Sequence, residues 1–272
     1  MATATTESMQ SNGFALVTGA SGGIGLEFAR QLSAQGWNLM LAARRFVALK
    51  ELATELESAY GIQAIPLQAD LSLPGAAEEL FAAATSRGPV GILVNNAGIG
   101  VFGLCEDMAS EDVQRMVTLN CTSLTVLSNL FARYFKERAE GYILNVSSVA
   151  GNWPEPFFAS YAATKAYVTS YTAALSCELR KSGVSVSCLL PGFVATNFDD
   201  NARITSSDYK SFSGKYSLTP AQVARIGLSL MFRRKYLGIA GFMNKVASFF
   251  NGLMPRNIQA AITWRTISKL VR

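Results

Sequence analysis

Six short apolar runs of strand length alternate along the chain with longer stretches of helical spacing, and this alternation constrains the fold strongly. The runs lie at residues 14–17, 37–42, 63–67, 91–96, 142–146 and 184–190. Strands that alternate with helices build βαβ units and a parallel sheet. We therefore predict a single α/β domain with a doubly wound parallel sheet and helices on both faces. In such a sheet the carboxyl ends of the strands face one crevice.

The first run ends in a glycine-rich turn, T-G-A-S-G-G-I-G at residues 18–25, which precedes a helical stretch. Glycines let the backbone approach a phosphate, and the free N–H groups of a helix N-terminus can bind it. The same letters contain G-x-S-x-G, the serine elbow of α/β-hydrolases. That serine needs a base, normally histidine, and the chain contains no histidine. The turn therefore predicts a nucleotide-binding loop in a Rossmann-type domain.

The second run ends at Ala43, followed by Arg44 and Arg45. A carboxylate at this place pairs with the ribose 2′-hydroxyl of NAD, whereas arginine suits the 2′-phosphate of NADP. NADP is the predicted cofactor, with solvation of either arginine on the next helix as the alternative. Asp70 follows the third run and either accepts from the adenine amino group or caps a helix expected to begin within residues 72–74.

Four residues form the candidate catalytic group. Tyr161 and Lys165 stand four residues apart in a helix-permissive segment and share one helix face. A lysine ammonium beside a phenol favours the phenolate, so we predict a lowered tyrosine pKa and proton exchange with a substrate oxygen. Ser148 follows the fifth run and can bind the same oxygen. Asn120, among apolar residues of a helical stretch (residues 110–134), either disturbs the helix and holds a water or is a satisfied core residue.

Two further asparagines, at 95–96, end the fourth run. Their amides must be hydrogen-bonded if they are buried, so they serve as structural clamps or as the floor under a cofactor. The four cysteines lack C-x-x-C spacing and are expected to be reduced core residues. No metal site is predicted, and the absence of histidine excludes any histidine-ligated metal.

Together these motifs resemble the classical short-chain dehydrogenases/reductases. The resemblance covers about residues 12–200 and includes T-G-A-S-G-G-I-G, N-N-A-G at 95–98, Asn120, Ser148, Y-A-A-T-K at 161–165 and P-G-F-V-A-T at 191–196. It implies that Tyr161 is the general acid/base and that Lys165 lowers its pKa and holds the nicotinamide ribose. Ser148 would position the substrate carbonyl, and Asn120 would anchor the water of a proton relay.

The resemblance also implies a cofactor site. Its members would be Gly19, Ser21, Gly22, Ile24, Gly25, Arg44, Arg45, Asp70, Leu71, Asn96, Tyr161, Lys165, Pro191, Val194 and Thr196. The basic residue that such enzymes often carry inside the glycine motif is missing, because Gly22 stands there. NADP therefore rests on the arginines at 44–45. In Y-A-A-T-K the tyrosine and the lysine are four residues apart, closer than the corresponding pair of bacterial enoyl reductases. The resemblance therefore favours reduction of C=O over reduction of C=C.

The predicted function is an NADPH-dependent carbonyl reductase. It would transfer hydride to the ketone or aldehyde of a hydrophobic substrate such as a fatty acyl, polyketide or steroid. Alternatives are NAD-linked oxidation of a secondary alcohol, a cofactor-binding regulator without turnover, and a membrane-surface or partner-docking protein. The resemblance to the family implies a homodimer or homotetramer. No apolar run reaches the ~18 residues of a membrane span and no signal peptide is evident, so a cytoplasmic protein is expected, with peripheral membrane association open.

Four segments are predicted: a disordered N-terminus (1–12), the NADP-binding core (13–197), a substrate lid (198–218) and a basic, apolar C-terminal segment (219–272). Residues 1–208 hold 13 Lys and Arg against 19 acidic residues, a sum of −6, whereas residues 209–272 hold 11 Lys and Arg and no acid, a sum of +11.

Three interpretations compete for the last part of this segment, residues 236–272. It packs on the sheet, it binds a membrane surface with Phe249, Phe250 and Trp264 in lipid, or it docks an anionic partner such as an acyl carrier protein. Nucleic acid is excluded as a partner, because the crevice is committed to the cofactor.

Overall fold

A computed structural model of the chain describes residues 13–271, so the expected disorder of 1–12 lies outside the described part. Within that range the strands form one parallel seven-stranded sheet in the order β3-β2-β1-β4-β5-β6-β7. They are β1 Phe14–Thr18, β2 Asn38–Ala43, β3 Ala64–Gln68, β4 Val90–Asn95, β5 Gly141–Val146, β6 Val184–Leu190 and β7 Leu237–Ile239. The strand order reverses between β1 and β4, which places a crevice at the carboxyl ends of the strands. The predicted doubly wound fold is confirmed.

Helices connect the strands and cover both faces of the sheet. They are α1 Gly23–Ser33, α2 Phe46–Tyr60, α3 Ala76–Thr85, α4 Ser110–Val117, α5 Leu124–Arg138, α6 Ala159–Glu178, α7 Phe198–Asn201, α8 Ser207–Lys215, α9 Pro220–Phe232, α10 Phe242–Gly252 and α11 Arg256–Val271. Short 3-10 turns lie at Cys105–Asp107 and Val149–Asn152. Helix α9 begins with a capping box, in which Thr219 and Gln222 each accept from the other's backbone N–H.

The sheet is buried between two hydrophobic layers, because successive side chains of a strand point to opposite faces. On one face Val17 packs with Phe28 of α1 and with residues of α2 and α9. On the other, Leu16 packs with Phe131 of α5 and with residues of α3 and α6. Each such buried side chain stabilises the fold by roughly 1.5–3 kcal/mol. The resulting rigid sheet holds the loops at its carboxyl edge in place.

Two local predictions need correction. The helix after Asp70 begins at Ala76 rather than within residues 72–74, and the Asp70 carboxylate accepts instead from the backbone N–H (3.0 Å) and hydroxyl (2.6 Å) of Ser72. Among the cysteines, Cys121 and Cys188 are buried as expected, but the other two, at 105 and 177, are exposed.

The stretch predicted as one helix over 110–134 is interrupted. A π-helical segment, Thr118–Ser123, separates α4 from α5 and contains Asn120. The expected disturbance of the helix at this asparagine is therefore confirmed. Across residues 13–271, no helix combines the length and apolarity that a membrane crossing requires.

Candidate active site

A cavity of about 1290 Å³ lies at the carboxyl edge of the sheet. It is larger than the ~300–1,000 Å³ of ordinary small-ligand pockets, which leaves room for a dinucleotide and a substrate together. Its wall contains three of the four predicted catalytic residues and all of the predicted cofactor residues except Gly25. These are Gly19, Ser21, Gly22, Ile24, Arg44, Arg45, Asp70, Leu71, Asn96, Ser148, Tyr161, Lys165, Pro191, Val194 and Thr196.

The glycine loop between β1 and α1 has the geometry of a phosphate cradle. Gly19 adopts a left-handed backbone (φ 68°), and a Cβ there would lie 2.9 Å from the Asn96 amide nitrogen. Gly25 lies behind the cavity wall, where a Cβ would lie 2.2 Å from the Gly19 carbonyl oxygen, so it serves close packing of α1 on the loop. Helix α1 begins after Gly22 without a side-chain cap. Its first N–H groups can therefore bind an anion such as a pyrophosphate.

Arg45 crosses to the glycine loop. One of its guanidinium nitrogens donates to the Ser21 carbonyl at 2.8 Å and lies 3.4 Å from the Ser21 hydroxyl. The same nitrogen would lie 3.3 Å from a Cβ at Gly22. The loop thus gains the positive charge that its own sequence lacks. Arg44 is exposed on the same wall.

At the neighbouring strand end, Asp70 remains a strong acid. Burial raises its pKa, but the hydrogen bonds from Ser72 and the nearby Arg44 charge outweigh that effect, and the net shift is downward. A carboxylate that stays ionised on the cavity wall can accept from an amino group.

The two asparagines at the end of β4 have different roles: Asn95 is its last residue and Asn96 follows it. Asn96 donates from its amide to the Thr18 carbonyl (2.9 Å), while its backbone N–H donates to the Thr18 hydroxyl (3.0 Å), and it forms part of the cavity floor. Asn95 is buried and donates to Asn145 (2.9 Å) and Ser128 (3.0 Å). Asn95 is therefore a clamp between β4, β5 and α5. Leu71 completes the floor, and its carbonyl accepts from the hydroxyl of buried Ser123.

The structure brings Ser148, Tyr161 and Lys165 together on one wall. Ser148 lies two residues after β5 and caps the turn Val149–Asn152; its hydroxyl accepts from the Ala150 N–H at 3.1 Å. Lys165 is 4% exposed, its ammonium donates to the Val146 carbonyl at 3.0 Å, and it lies 5.7 Å from the centroid of the Tyr161 ring.

The pKa of Tyr161 is raised to about 12, so the predicted lowering is wrong in direction. Burial is the main cause and Glu155 adds to it, while the Ser148 side chain opposes the shift. The same burial lowers the pKa of Lys165 to about 8. A site that excludes water penalises both charged forms, and the ammonium is turned toward a backbone carbonyl. The phenol is accordingly protonated at neutral pH.

Asn120 lies behind the wall and is fully buried. Its amide donates to the Ile99 carbonyl (2.8 Å) and the Thr164 hydroxyl (3.0 Å), and its oxygen accepts from the Ile99 N–H (3.0 Å). Only one acceptor lone pair of the side chain is left. A Cβ at Gly98 would lie 3.3 Å from both this oxygen and the Lys165 ammonium, so the two groups face one small space.

The loop after β6 closes the wall. Its Pro191 carbonyl is 3.4 Å from the Ser148 hydroxyl, and Val194 bridges to Leu218 at the end of the segment predicted as a lid. Thr196 reaches the glycine loop, where its methyl group would lie 3.2 Å from a Cβ at Gly23. The loop therefore joins the catalytic wall to the phosphate cradle.

Beyond Tyr161 the cavity is aromatic. Phe158 and Phe198 lie 5.6 and 5.4 Å from its ring centroid, and Tyr209 of α8 is buried beside them. The sequence 198–218, predicted as a lid, supplies α7 and α8 to this wall. Arg203 forms a bidentate ion pair with Asp112 of α4 (2.6 and 3.1 Å), which ties this segment across the cavity.

Sequence reasoning missed Glu155, which also lines the cavity. Burial raises the pKa of Glu155 to about 7, and a hydrogen bond from Trp153 opposes the shift. In the sequence, this residue is marked only as an acidic residue between two prolines, six residues before Tyr161.

Comparison with known proteins agrees with this geometry. The family model for short chain dehydrogenase matches residues 13–206. A very-long-chain 3-oxoacyl-CoA reductase of Neurospora crassa is 36% identical over 189 residues, which cover 67% of this chain and 56% of that protein. A very-long-chain 3-oxoacyl-CoA reductase-A of Danio rerio is 33% identical over 187 residues, which cover 67% of this chain and 58% of that protein. The chain thus spans somewhat over half the length of these two relatives. A 7beta-hydroxysteroid dehydrogenase of Collinsella aerofaciens is 33% identical over 181 residues, which cover 66% of this chain and 68% of that protein.

Solved structures share the whole architecture. A 7beta-hydroxysteroid dehydrogenase superposes with a TM-score of 0.83 at 27% identity, covering 92% of this chain and 96% of that one. A short-chain dehydrogenase from Sphingobium yanoikuyae in complex with NADPH superposes with a TM-score of 0.79 at 31% identity, covering 89% and 95%. The match of the family model over most of the chain and the shared sheet order lead to one conclusion: this chain belongs to the short-chain dehydrogenase/reductase family.

Proposed function

We propose that the protein is an NADPH-dependent reductase of a ketone or aldehyde carried by a hydrophobic substrate. The observation that carries the proposal is the placement of Ser148, Tyr161 and Lys165 on the wall of the cavity that also receives the glycine loop. A proton donor, a second hydroxyl and a cation thus share one site with a phosphate cradle. This set suits proton delivery to an oxygen whose carbon accepts hydride.

The nicotinamide of the bound cofactor would supply the hydride. Tyr161 donates its proton to the substrate oxygen, since a pKa of about 12 keeps the phenol protonated at neutral pH. The Ser148 hydroxyl orients that oxygen after leaving its long contact with the Pro191 carbonyl. Lys165 favours the phenolate once it forms, because its ammonium lies 5.7 Å from the centroid of that ring. The space between Lys165 and Asn120 is the route by which a proton returns to Tyr161.

The choice of NADP rests on the arginine pair. Arg45 at the glycine loop and Arg44 on the same wall present two guanidinium groups where the second strand ends. Guanidinium binds phosphate through parallel charge-assisted hydrogen bonds. The structural relative from Sphingobium yanoikuyae is a complex with NADPH. A carboxylate at this place would favour NAD, and the sequence has none there.

The substrate class follows from the aromatic wall. Phe158, Phe198 and Tyr209 would bury an apolar group beside Tyr161. The names of the relatives, 3-oxoacyl-CoA reductase and 7beta-hydroxysteroid dehydrogenase, describe carbonyl or hydroxyl chemistry on lipid-like molecules. We therefore place fatty acyl and steroid ketones first in a substrate screen, with polyketide ketones next. The homodimer or homotetramer stays a prediction, which analytical ultracentrifugation would measure.

The test compares Tyr161→Phe with Tyr167→Phe in a screen of hydrophobic ketones with NADPH. Both tyrosines lie on α6, but Tyr167 is exposed and bonds only the Thr125 hydroxyl. We expect Tyr161→Phe to reduce kcat by about 10²–10⁴-fold, with NADPH binding within about threefold of wild type. Tyr167→Phe should retain full turnover. Turnover that survives in Tyr161→Phe would refute the proton-donor assignment, and wild-type protein that binds NADPH without reducing any ketone would favour the regulator alternative.

A further inference from the structure

Helix α10 (Phe242–Gly252) is amphipathic, and its polar side faces the protein. The Asn244 amide donates to the Ala240 carbonyl at 2.6 Å, and a Cβ at Gly192 would lie 2.3 Å from that amide nitrogen. Ser248 accepts from the Asn152 amide at 3.1 Å. A hydrogen bond thus attaches the helix to the turn after β5, and Asn244 packs closely against Gly192 in the loop after β6.

The opposite side of α10 is apolar and exposed. Its members recur with helical spacing and are Phe242 (77% exposed), Met243 (65%), Phe249 (66%) and Phe250 (60%) on the helix and Leu253 (70%) directly after it. We call these five residues the α10 apolar face. With about 200 Å² for a large side chain, the face exposes roughly 600 Å², the upper end of the largest apolar patch on a typical monomer. It extends about 16 Å along the helix, at 1.5 Å per residue. Such a face requires a partner.

The charge around the face identifies the partner. Residues 209–272 carry 11 Lys and Arg and no acid. Lys245 on α10 and Arg256, Arg265 and Lys269 on α11 are exposed. A second copy would bring the same cations against themselves, because a two-fold interface pairs a surface with itself. An anionic protein would match the charge but does not need three exposed phenylalanines along one helix. An exposed apolar face on a segment rich in cations suits an anionic lipid surface.

We propose that the α10 apolar face binds the surface of an anionic phospholipid bilayer, with its five side chains at the boundary between headgroups and acyl chains. Trp264, expected from the sequence to enter lipid, has another partner, since it stacks on Phe157 at 5.1 Å. Through this contact and buried Ile267, α11 packs over the aromatic end of the cavity. Of the two C-terminal helices, α11 therefore completes the fold and α10 contacts the membrane.

The position of α10 connects this surface to the cavity. Phe242, Met243, Asn244 and Ala247 of α10 line its mouth. A molecule dissolved in the bilayer would meet the opening directly beside the lipid surface. The inference goes beyond the proposed function and does not require it, because vesicle binding is measured without turnover.

The experiment is co-sedimentation of the full chain with vesicles of phosphatidylcholine alone or mixed with phosphatidylserine. The variant is Phe249→Ser/Phe250→Ser, and the matched control is Val47→Ser/Leu73→Ser, which replaces exposed apolar residues elsewhere. We expect wild type and control to bind the phosphatidylserine vesicles and to release them at high salt. The variant should bind at least tenfold more weakly, because about half of the apolar face is lost.

Thermal unfolding of each variant is the control measurement that tests whether the variant keeps the wild-type fold. Wild type that binds neither vesicle, or a variant that binds as well as wild type, would overturn the proposal. So would a wild-type dimer that the variant converts to a monomer, since the face would then be a subunit interface. Salt-insensitive binding to phosphatidylcholine alone would overturn the anionic requirement.

Discussion

Replacing Arg45 by alanine tests the cofactor assignment at its most specific contact. The change removes a guanidinium that lies 2.8 Å from the Ser21 carbonyl and next to Gly22. A charge-assisted hydrogen bond contributes about 1.5–3 kcal/mol, and the exposure of Arg45 reduces this to roughly 1–2 kcal/mol. At about 1.4 kcal/mol for each tenfold change, the Kd for NADPH should rise by about 5–30-fold. NADH lacks the 2′-phosphate, so its Kd should change by less than about threefold.

The assay is a titration of nicotinamide fluorescence with NADPH and NADH, at low and at physiological ionic strength. Arg44→Ala should act in the same direction, and the double variant should lose most of the preference for NADPH. Arg87→Ala is the matched control, because Arg87 is an exposed arginine outside the cavity wall. Equal weakening of NADPH and NADH by Arg45→Ala would refute the reasoning, since Arg45 would then only support the loop. Tighter binding of NADH by wild type would refute it as well.

The remaining predictions concern stability and the loop. Glu155 binds protons more tightly in the folded state, its pKa being raised from 4.5 to about 7, so wild-type stability should fall as pH rises between these values. Glu155→Gln should therefore be more stable than wild type at about pH 8, by up to about 3 kcal/mol, whereas the two stabilities should be nearly equal at about pH 4.5. The measurement is Tm as a function of pH for both proteins, and parallel curves would contradict this prediction. Gly25→Ala places a Cβ 2.2 Å from the Gly19 carbonyl oxygen and should destabilise the protein by about 1–3 kcal/mol and weaken NADPH binding. Gly252→Ala, where a Cβ meets no neighbour, is its control, and an equal effect of both would contradict the packing argument.

Local sequence patterns predicted six of the seven strands and the residues at their carboxyl ends that reach the cavity wall. Strand positions followed from short apolar runs, and the last of them, Val184–Leu190, agrees with β6 at both ends. The glycine turn and the proline at the start of α9 restrict the backbone through their own covalent structure. Residues that end parallel strands must meet at one edge, so Gly19, Asp70 and Ser148 could be assigned to one crevice before any coordinates.

Other properties depend on what surrounds a side chain and were decided by tertiary structure. The spacing of Tyr161 and Lys165 predicted a lowered tyrosine pKa, but burial in the folded cavity wall raises it. Arg45 reaches Ser21, 24 positions earlier in the chain, and thereby supplies the charge that the glycine motif lacks. No local pattern encodes such contacts, because they arise from segments that only folding brings together.

The C-terminal segment shows the same division. Its helical spacing, its apolar residues and its excess of cations are properties of the sequence alone. The sequence alone does not determine which side of α10 faces water, because an amphipathic helix can turn either side to the protein. The choice depends on partners that lie far away in sequence, such as Asn152 for Ser248 and Gly192 for Asn244. The sequence therefore determined that the segment is basic and amphipathic, and only the tertiary structure turned its apolar side outward.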